Sequence, residues 1–191
     1  FMAANMSLAM DDTDKVKILY EDSLANQLII LPPDINHSDY RFVPVDTKTI
    51  RYGLGAIKGT GEAAVLEIIR ARAQKPFSDL FDFCHRVDRR TVNKRAIEGL
   101  IRAGAFDAIE ANRAQLLASI GNAVELAEQL DATAHQAGLF DHATNGDGQC
   151  HGILQNVAPW LGKRNLQEEK QALGFYLSGH LFDDYRDEVL S

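Results

Sequence analysis

Apolar residues recur every three to four positions along most of the chain, which predicts a mainly helical protein. This spacing is that of a helix with one buried face. Ser78 is the predicted cap of one helix, and either Thr91 or Asn93 caps another. A last helix is predicted to begin at Asn165, with Glu168 three residues later completing a capping box. The predicted helices cover residues 12–26, 62–73, 78–86, 91–104, 112–130 and 165–174.

Three short stretches do not follow the helical period and predict a small sheet. Residues 28–31 form an apolar run that ends at Pro32-Pro33, while residues 41–45 and 49–52 are rich in β-branched and aromatic side chains. The predicted fold class is therefore mainly α with a small β element.

The segment before the second long helix combines glycines with an apolar anchor. Ile57 precedes Gly59-x-Gly61, and the helical pattern begins directly afterwards. Such glycines permit a tight turn and leave N–H groups bare at a helix start, where the helix dipole favours an anion. Lys58 adds a positive charge and Thr60 adds a hydroxyl. The pattern predicts a helix-hairpin-helix that holds DNA by its phosphates without reading bases; the alternative is an ordinary tight turn between packed helices.

Charge is distributed unevenly along the chain. The net charge is −7, but residues 1–47, 48–104 and 105–191 carry −5, +6 and −8. The basic middle block contains Lys94, Arg95 and Arg102, which stand near a second, degenerate hairpin centred on Gly104. Two hairpins could hold the two strands of a duplex. The alternative for these cations is a solvated helical face.

A pentapeptide near the end of the longest helix predicts a contact with another protein. It runs from Gln136 to Phe140 and precedes a stretch rich in Gly and Asn that ends at Gly152. An extended peptide of this kind could place Leu139 and Phe140 in apolar pockets of a groove while Gln136 forms hydrogen bonds. The alternative is that Leu139 and Phe140 pack into the chain's own core.

Several protein classes are disfavoured by composition. Cys84 and Cys150 are too few for a disulfide framework, and with their adjacent histidines they lack zinc-ligand spacing, so no metal site is predicted. No apolar run of about 18 residues and no secretory pattern occurs, which predicts a cytoplasmic protein without membrane contact. The chain begins at Phe1 within an apolar helical pattern, and we interpret it as a piece of a longer polypeptide.

Seven segments together resemble the alpha subunits of bacterial DNA polymerase III, the C-family replicative polymerases. The resemblance extends over nearly the whole chain. The segments are FMAA (1–4), DTDK (12–15), LPPDIN (31–36), IRYGLGAIKG-x-G (50–61), VNKR (92–95), LIRAGAFD (100–107) and EEKQALGFYLSGH (168–180).

The resemblance implies an organisation into four parts. Residues 1–48 would end the fingers region, 49–135 would bind duplex DNA, 136–158 would carry the clamp-binding peptide and a flexible loop, and 159–191 would lead toward an OB domain outside the chain. It further implies that Gln136, Leu139 and Phe140 dock on the sliding clamp, within a holoenzyme of further subunits. Leu181 stands where the family commonly has Pro, and Gly138 adds flexibility inside the clamp peptide.

Catalysis is not predicted for this chain. The closely spaced palm aspartates of the resembling polymerases, which would hold Mg²⁺ for nucleotidyl transfer, are absent. One alternative is a DNA glycosylase in which Asp79 or Asp82 acts after the hairpin. Another is a pure protein-interaction module in which the hairpin only packs.

Overall fold

The computed structural model describes residues 1–137 and 152–179, and it confirms a mainly helical fold with a small sheet. Seven helices and three strands lie in these residues. They are α1 (Met2–Leu8), α2 (Thr13–Ala25), β1 (Ile29–Leu31), β2 (Val43–Pro44), β3 (Thr49–Arg51), α3 (Glu62–Arg72), α4 (Leu80–Arg86), α5 (Lys94–Arg102), α6 (Arg113–Ala137) and α7 (Gly162–Leu173).

The three predicted strands form one sheet with the order β1-β3-β2. The strand β3 pairs in parallel with β1, so that Ile30 faces Ile50, and antiparallel with β2, so that Val43 faces Arg51. Each strand is only two or three residues long. The sheet therefore serves as a short platform that delivers the chain through Tyr52 to the glycine-rich segment.

The core is continuous from the sheet to the last described helix. α4 and α5 both pack on α6, and α5 also packs on α7. Phe83 stacks edge to face on both Phe77 and Phe106, with ring centroids 4.9 and 5.1 Å apart. α5 is thus held on two sides, which fixes the face that it presents to the hairpin.

Side-chain caps explain the starts of α2, α4 and α5. Asp12, Asp79 and Asn93 each accept a hydrogen bond from the backbone N–H three residues later. Of the two predicted caps of α5, Thr91 and Asn93, the structure therefore confirms Asn93. The prediction of Ser78 was wrong by one residue, because the Asp79 carboxylate is the group that receives the Asp82 N–H at 2.8 Å.

Two predicted helix ends differ from the structure. α7 begins at Gly162, and Asn165 already lies inside the first turn, where its N–H donates to the Leu161 carbonyl at 3.1 Å. α6 runs to Ala137, beyond the predicted end near Leu130. Residues 131–137 contain neither Gly nor Pro and include three alanines, so nothing in this stretch stops a helix. Within the described residues, no helix is both long and apolar enough to cross a membrane.

Candidate nucleic-acid interface

A tight turn at residues 57–61 connects a short 3-10 helix (Leu54–Ala56) to α3. Ile57 is buried below the turn, whereas Lys58, Gly59 and Gly61 are exposed. Gly59 has a φ of +91°, a left-handed conformation that L side chains rarely adopt. Gly61 is the N-cap of α3 with extended backbone, φ −82° and ψ 162°. The two glycines therefore differ: the fold requires Gly59, whereas any residue could adopt the backbone of Gly61.

The start of α3 presents free backbone donors to solvent. In residues 1–137 and 152–179, the N–H groups of Gly59, Gly61, Glu62 and Ala63 have no hydrogen-bond acceptor, and no side chain caps the helix. All four residues are exposed. These donors stand at the positive end of an 11-residue helix. An anion with several oxygen acceptors suits this geometry.

The space in front of Gly61 is open. A Cβ atom placed on this residue would meet nothing within 4 Å. The carboxylate of Glu62 is the nearest charge along the chain, and it is exposed in the first turn of α3. The site thus combines accessible donors with one acidic side chain that can turn toward solvent.

The inner side of the turn is held by the rest of the protein. The Lys58 N–H donates to the carbonyl oxygen of Ala172, near the end of α7, at 2.9 Å. The Thr60 hydroxyl is buried and lies 2.6 and 2.5 Å from the carbonyl oxygens of Leu54 and Ile57. The structure therefore places the Thr60 side chain inside the turn, where its hydroxyl closes the loop and does not extend the exposed donor surface.

The first turn of α5 adds two cations beside the hairpin. Lys94 and Arg95 are exposed and form no ion pair within the part of the chain that the structure describes. A Cβ atom placed on Gly59 would lie 3.4 Å from Cγ of Arg95 and 3.7 Å from its Nε. Arg95 is therefore a direct neighbour of the hairpin, and Lys94 precedes it on the same exposed end of the helix.

Arg102 and Gly104 occupy different surroundings from the first hairpin. Arg102 donates from Nε to Glu168 at 2.9 Å and pairs through Nη1 with Glu98 at 3.2 Å. Gly104 has a φ of +83°, and its N–H donates to the Ile101 carbonyl at 3.0 Å. The polar groups predicted for a second phosphate contact are thus engaged within the protein. The sequence could not show this, because Glu168 is far from Arg102 along the chain.

An ionic network around the buried guanidinium of Arg113 lies directly behind this second turn, and sequence reasoning missed it. The Arg113 guanidinium donates from Nε to Asp107 at 2.8 Å and from Nη1 to the Arg102 carbonyl at 3.1 Å. Burial opposes the charge of Arg113, but Asp107 and Glu169 outweigh it and raise the pKa of the guanidinium. This network connects the turn to α6 and α7. No local sequence pattern signals it.

The pentapeptide lies at the edge of the described residues. The backbone of Gln136 is helical, in the last described turn of α6. Leu139 and Phe140 lie outside the described residues. The Gln136 backbone is therefore helical in this structure, and docking of the peptide in an extended conformation stays a prediction.

The two aspartates of the glycosylase alternative serve as helix-start groups. The Asp79 carboxylate caps α4, and Asp82 pairs with Arg86 at 2.9 Å while accepting the Ser78 N–H at 3.1 Å. Their oxygens stabilise the first turn of the helix and its link to Arg86. Nothing in this arrangement favours a catalytic role.

Comparison with known proteins identifies the motif and the relatives of the chain. Residues 27–116 match the family model described as helix-hairpin-helix motif. The chain is 51% identical over 190 residues to the DNA polymerase III subunit alpha of Neisseria meningitidis serogroup B. It is 44% identical over 192 residues to that of Vibrio cholerae serotype O1, and 41% identical over 209 residues to that of Pseudomonas aeruginosa. Each match covers 99% of the chain but only 16 to 18% of the relative.

Proposed function

Because the chain belongs to the family of DNA polymerase III alpha subunits, we propose that it holds duplex DNA by its backbone during replication. The observation that carries this proposal is the exposed row of free N–H groups at residues 59 and 61–63, at the start of α3. Backbone amides recognise a phosphate without reading a base, so the contact is independent of sequence.

Three exposed cations supply the long-range attraction for this contact. Lys58 lies in the hairpin itself, and Lys94 and Arg95 lie on the adjoining start of α5. Each phosphate that they neutralise releases condensed counterions, so the logarithm of affinity falls with the logarithm of salt by about 0.9 per contact. All three belong to residues 48–104, the basic block between two acidic ones along the chain.

Duplex titration at several salt concentrations tests the proposal. The double variant Lys94→Gln/Arg95→Gln is expected to bind every duplex sequence more weakly and to lower the salt slope by about 2. Lys17→Gln/Arg164→Gln is the matched control, because it removes two exposed charges that pair with Glu21 and Glu168 and lie outside residues 48–104. If both double variants lost the same amount of duplex affinity, binding would depend on net charge alone. Absence of duplex binding by the parent chain at low salt would favour the protein-interaction module.

We propose further that Gln136, Leu139 and Phe140 tether the chain to the sliding clamp. Support comes from the pentapeptide itself, whose first two residues, Gln136 and Ala137, form the end of the long helix α6. A peptide contact and a backbone contact made simultaneously reinforce one another through effective concentration, so a polymerase stays on its template although each contact alone is brief.

Nucleotidyl transfer with Mg²⁺ is assigned to other parts of the subunit, because the palm aspartates are absent from this sequence. We propose a cytoplasmic location, because that is where such a role would be carried out.

Titration of a sliding clamp tests the tether. Leu139→Ala/Phe140→Ala is expected to abolish clamp binding while duplex binding is retained. Ile153→Ala/Leu161→Ala is a matched control, because both of these apolar side chains are more than 80% exposed. Equal clamp binding by the parent and the Leu139→Ala/Phe140→Ala variant would contradict the tether and leave DNA contact as the remaining function.

A further inference from the structure

A buried glycine in the middle of α5 lies against the main chain of the hairpin. A Cβ atom placed on Gly99 would stand 2.7 Å from the carbonyl oxygen of Lys58 and 3.6 Å from Cγ2 of Ile57. The first distance is shorter than a carbon and an oxygen tolerate, and the obstacle is backbone, which cannot rotate away. Glycine is also a poor helix former. Its presence here is therefore explained by the close approach of α5 to the hairpin.

The same face of α5 carries Arg95, one helical turn before Gly99. Residues four apart lie above one another on a helix. Along this face, Arg95 lies beside Gly59 and Gly99 lies beside Lys58. The helix thus runs along the hairpin, and its distance from the hairpin at Gly99 also determines where the Arg95 side chain begins.

We propose that Gly99 is a positioning residue, which brings α5 close enough for Arg95 and the free hairpin amides to contact one and the same DNA phosphate. The inference rests on the proposed DNA-binding function and assigns a geometry to it. The amides of residues 59 and 61–63 would donate hydrogen bonds to oxygens on one side of the phosphate, and the Arg95 guanidinium would donate to oxygens on another side. Guanidinium suits this role because its fork donates two parallel hydrogen bonds to phosphate oxygens.

The decisive experiment is a double-mutant cycle between Arg95→Gln and Gly99→Ala, read by duplex affinity. Arg95→Gln in the parent is expected to weaken binding about tenfold, the usual effect of losing a charge-assisted hydrogen bond. In the Gly99→Ala background, the same change is expected to weaken binding by about twofold or less, because the guanidinium has already moved from the phosphate. Gly99→Ala alone is expected to lower the salt slope by about 0.9.

Gly121→Ala is the matched control for this cycle. Gly121 is also a glycine inside a helix, but a Cβ atom there would meet nothing within 4 Å. The control is expected to retain parental affinity, an unchanged salt slope and the full effect of Arg95→Gln. A role of Gly99 in stability alone would leave the Arg95→Gln factor equal in both backgrounds, and that result would overturn the inference.

The outcomes separate this inference from the function on which it rests. Failure of the parent chain to bind duplex contradicts the proposed function itself. Parental binding with additive effects of Arg95→Gln and Gly99→Ala contradicts only the positioning role. If circular dichroism shows that Gly99→Ala does not fold, the cycle is made between Arg95→Gln and Gly61→Ala. If the effects of these two changes on duplex affinity are coupled, one shared phosphate site is supported. If they are additive, the shared site is overturned.

Discussion

Arg113 and Glu169 bring their opposite charges to 3.7 Å of each other in the interior, where α6 meets α7. Their side chains are 7% and 1% exposed. The Glu169 carboxylate also accepts the N–H groups of Leu177 and Ser178 at 2.8 and 3.0 Å. The pair therefore connects the turn after α5, the start of α6 and the segment that follows α7.

Breaking this pair is expected to destabilise the chain strongly. Arg113→Met leaves the carboxylate of Glu169 buried without its cation, which typically costs about 3 to 5 kcal/mol. Urea unfolding followed by circular dichroism measures the loss. Arg164→Met is the control, because Arg164 is 64% exposed and lies 3.8 Å from Glu168. A loss for Arg113→Met of less than about 1 kcal/mol would contradict an energetic role for the buried pair.

The two hairpin glycines are expected to respond differently to alanine. Gly59→Ala forces a side chain into a left-handed backbone and should destabilise the fold by about 1 to 2 kcal/mol. Gly61→Ala should leave unfolding unchanged, because its Cβ meets open space. It should nevertheless weaken duplex binding, since the new methyl group stands where a phosphate would approach. Thermal unfolding and duplex titration of both variants check this contrast, and parental duplex affinity of Gly61→Ala would argue against a phosphate in front of that residue.

Removing the hydroxyl of Tyr52 is expected to be neutral or stabilising. The side chain is fully buried between Phe42 and Phe175, and its hydroxyl has no hydrogen-bond partner among the described residues. Burial, together with the charge of Glu169, raises the pKa of Tyr52, so the neutral form is the one present. Tyr52→Phe should therefore raise the free energy of unfolding by up to about 1 kcal/mol. A clear destabilisation in urea would show that the hydroxyl does contribute a hydrogen bond.

Acid is expected to weaken the fold partly through Glu67. Hydrogen bonds from Arg70, at 2.7 Å, lower the pKa of this carboxyl below its ordinary value of 4.5. A carboxyl whose pKa is lower in the folded chain stabilises it above the unfolded pKa, and the contribution disappears as pH falls through the folded value. Glu67→Gln should thus lower stability at pH 7 and flatten its decline below about pH 4.5.

Thermal unfolding from pH 7 to pH 3 measures this effect. Glu125→Gln is the control, because Glu125 is exposed on α6 and forms no ion pair in residues 1–137 and 152–179. Its pH profile should match that of the parent. If the stability of Glu67→Gln depended on pH as that of the parent does, the contact with Arg70 would not contribute to folding.

The elements that sequence could predict are those with local causes. Asn93 caps α5 through a bond to the N–H three residues later, and Gly174 ends α7 with a φ of +90°. The hairpin glycines are equally local, because a tight turn before a helix depends on the residues that form it. These features follow from neighbours in the chain, and the sequence therefore revealed them.

Tertiary partners explain the features that sequence missed. Thr60 was expected to offer its hydroxyl to a phosphate, yet the turn itself places that hydroxyl against its own carbonyls. Arg102 was expected to face DNA, but α7 folds back and supplies Glu168. Gly99 has no sequence pattern of its own, because the reason for a glycine there is the main chain of the hairpin against α5. The surroundings of Arg102 and Gly99 depend on distant segments, which no local spacing records, whereas the place of the Thr60 hydroxyl depends on the conformation of its own turn.

The hydrogen bond from Lys58 to Ala172 has a kinetic consequence. It joins residues that are more than a hundred positions apart, so forming it before the helices between them have packed would cost the entropy of closing a long loop. The turn can form early from its own glycines, but its backing arrives only when α7 has docked. We therefore expect duplex binding to recover late in refolding. Binding of DNA would then indicate that α7 has docked on the hairpin.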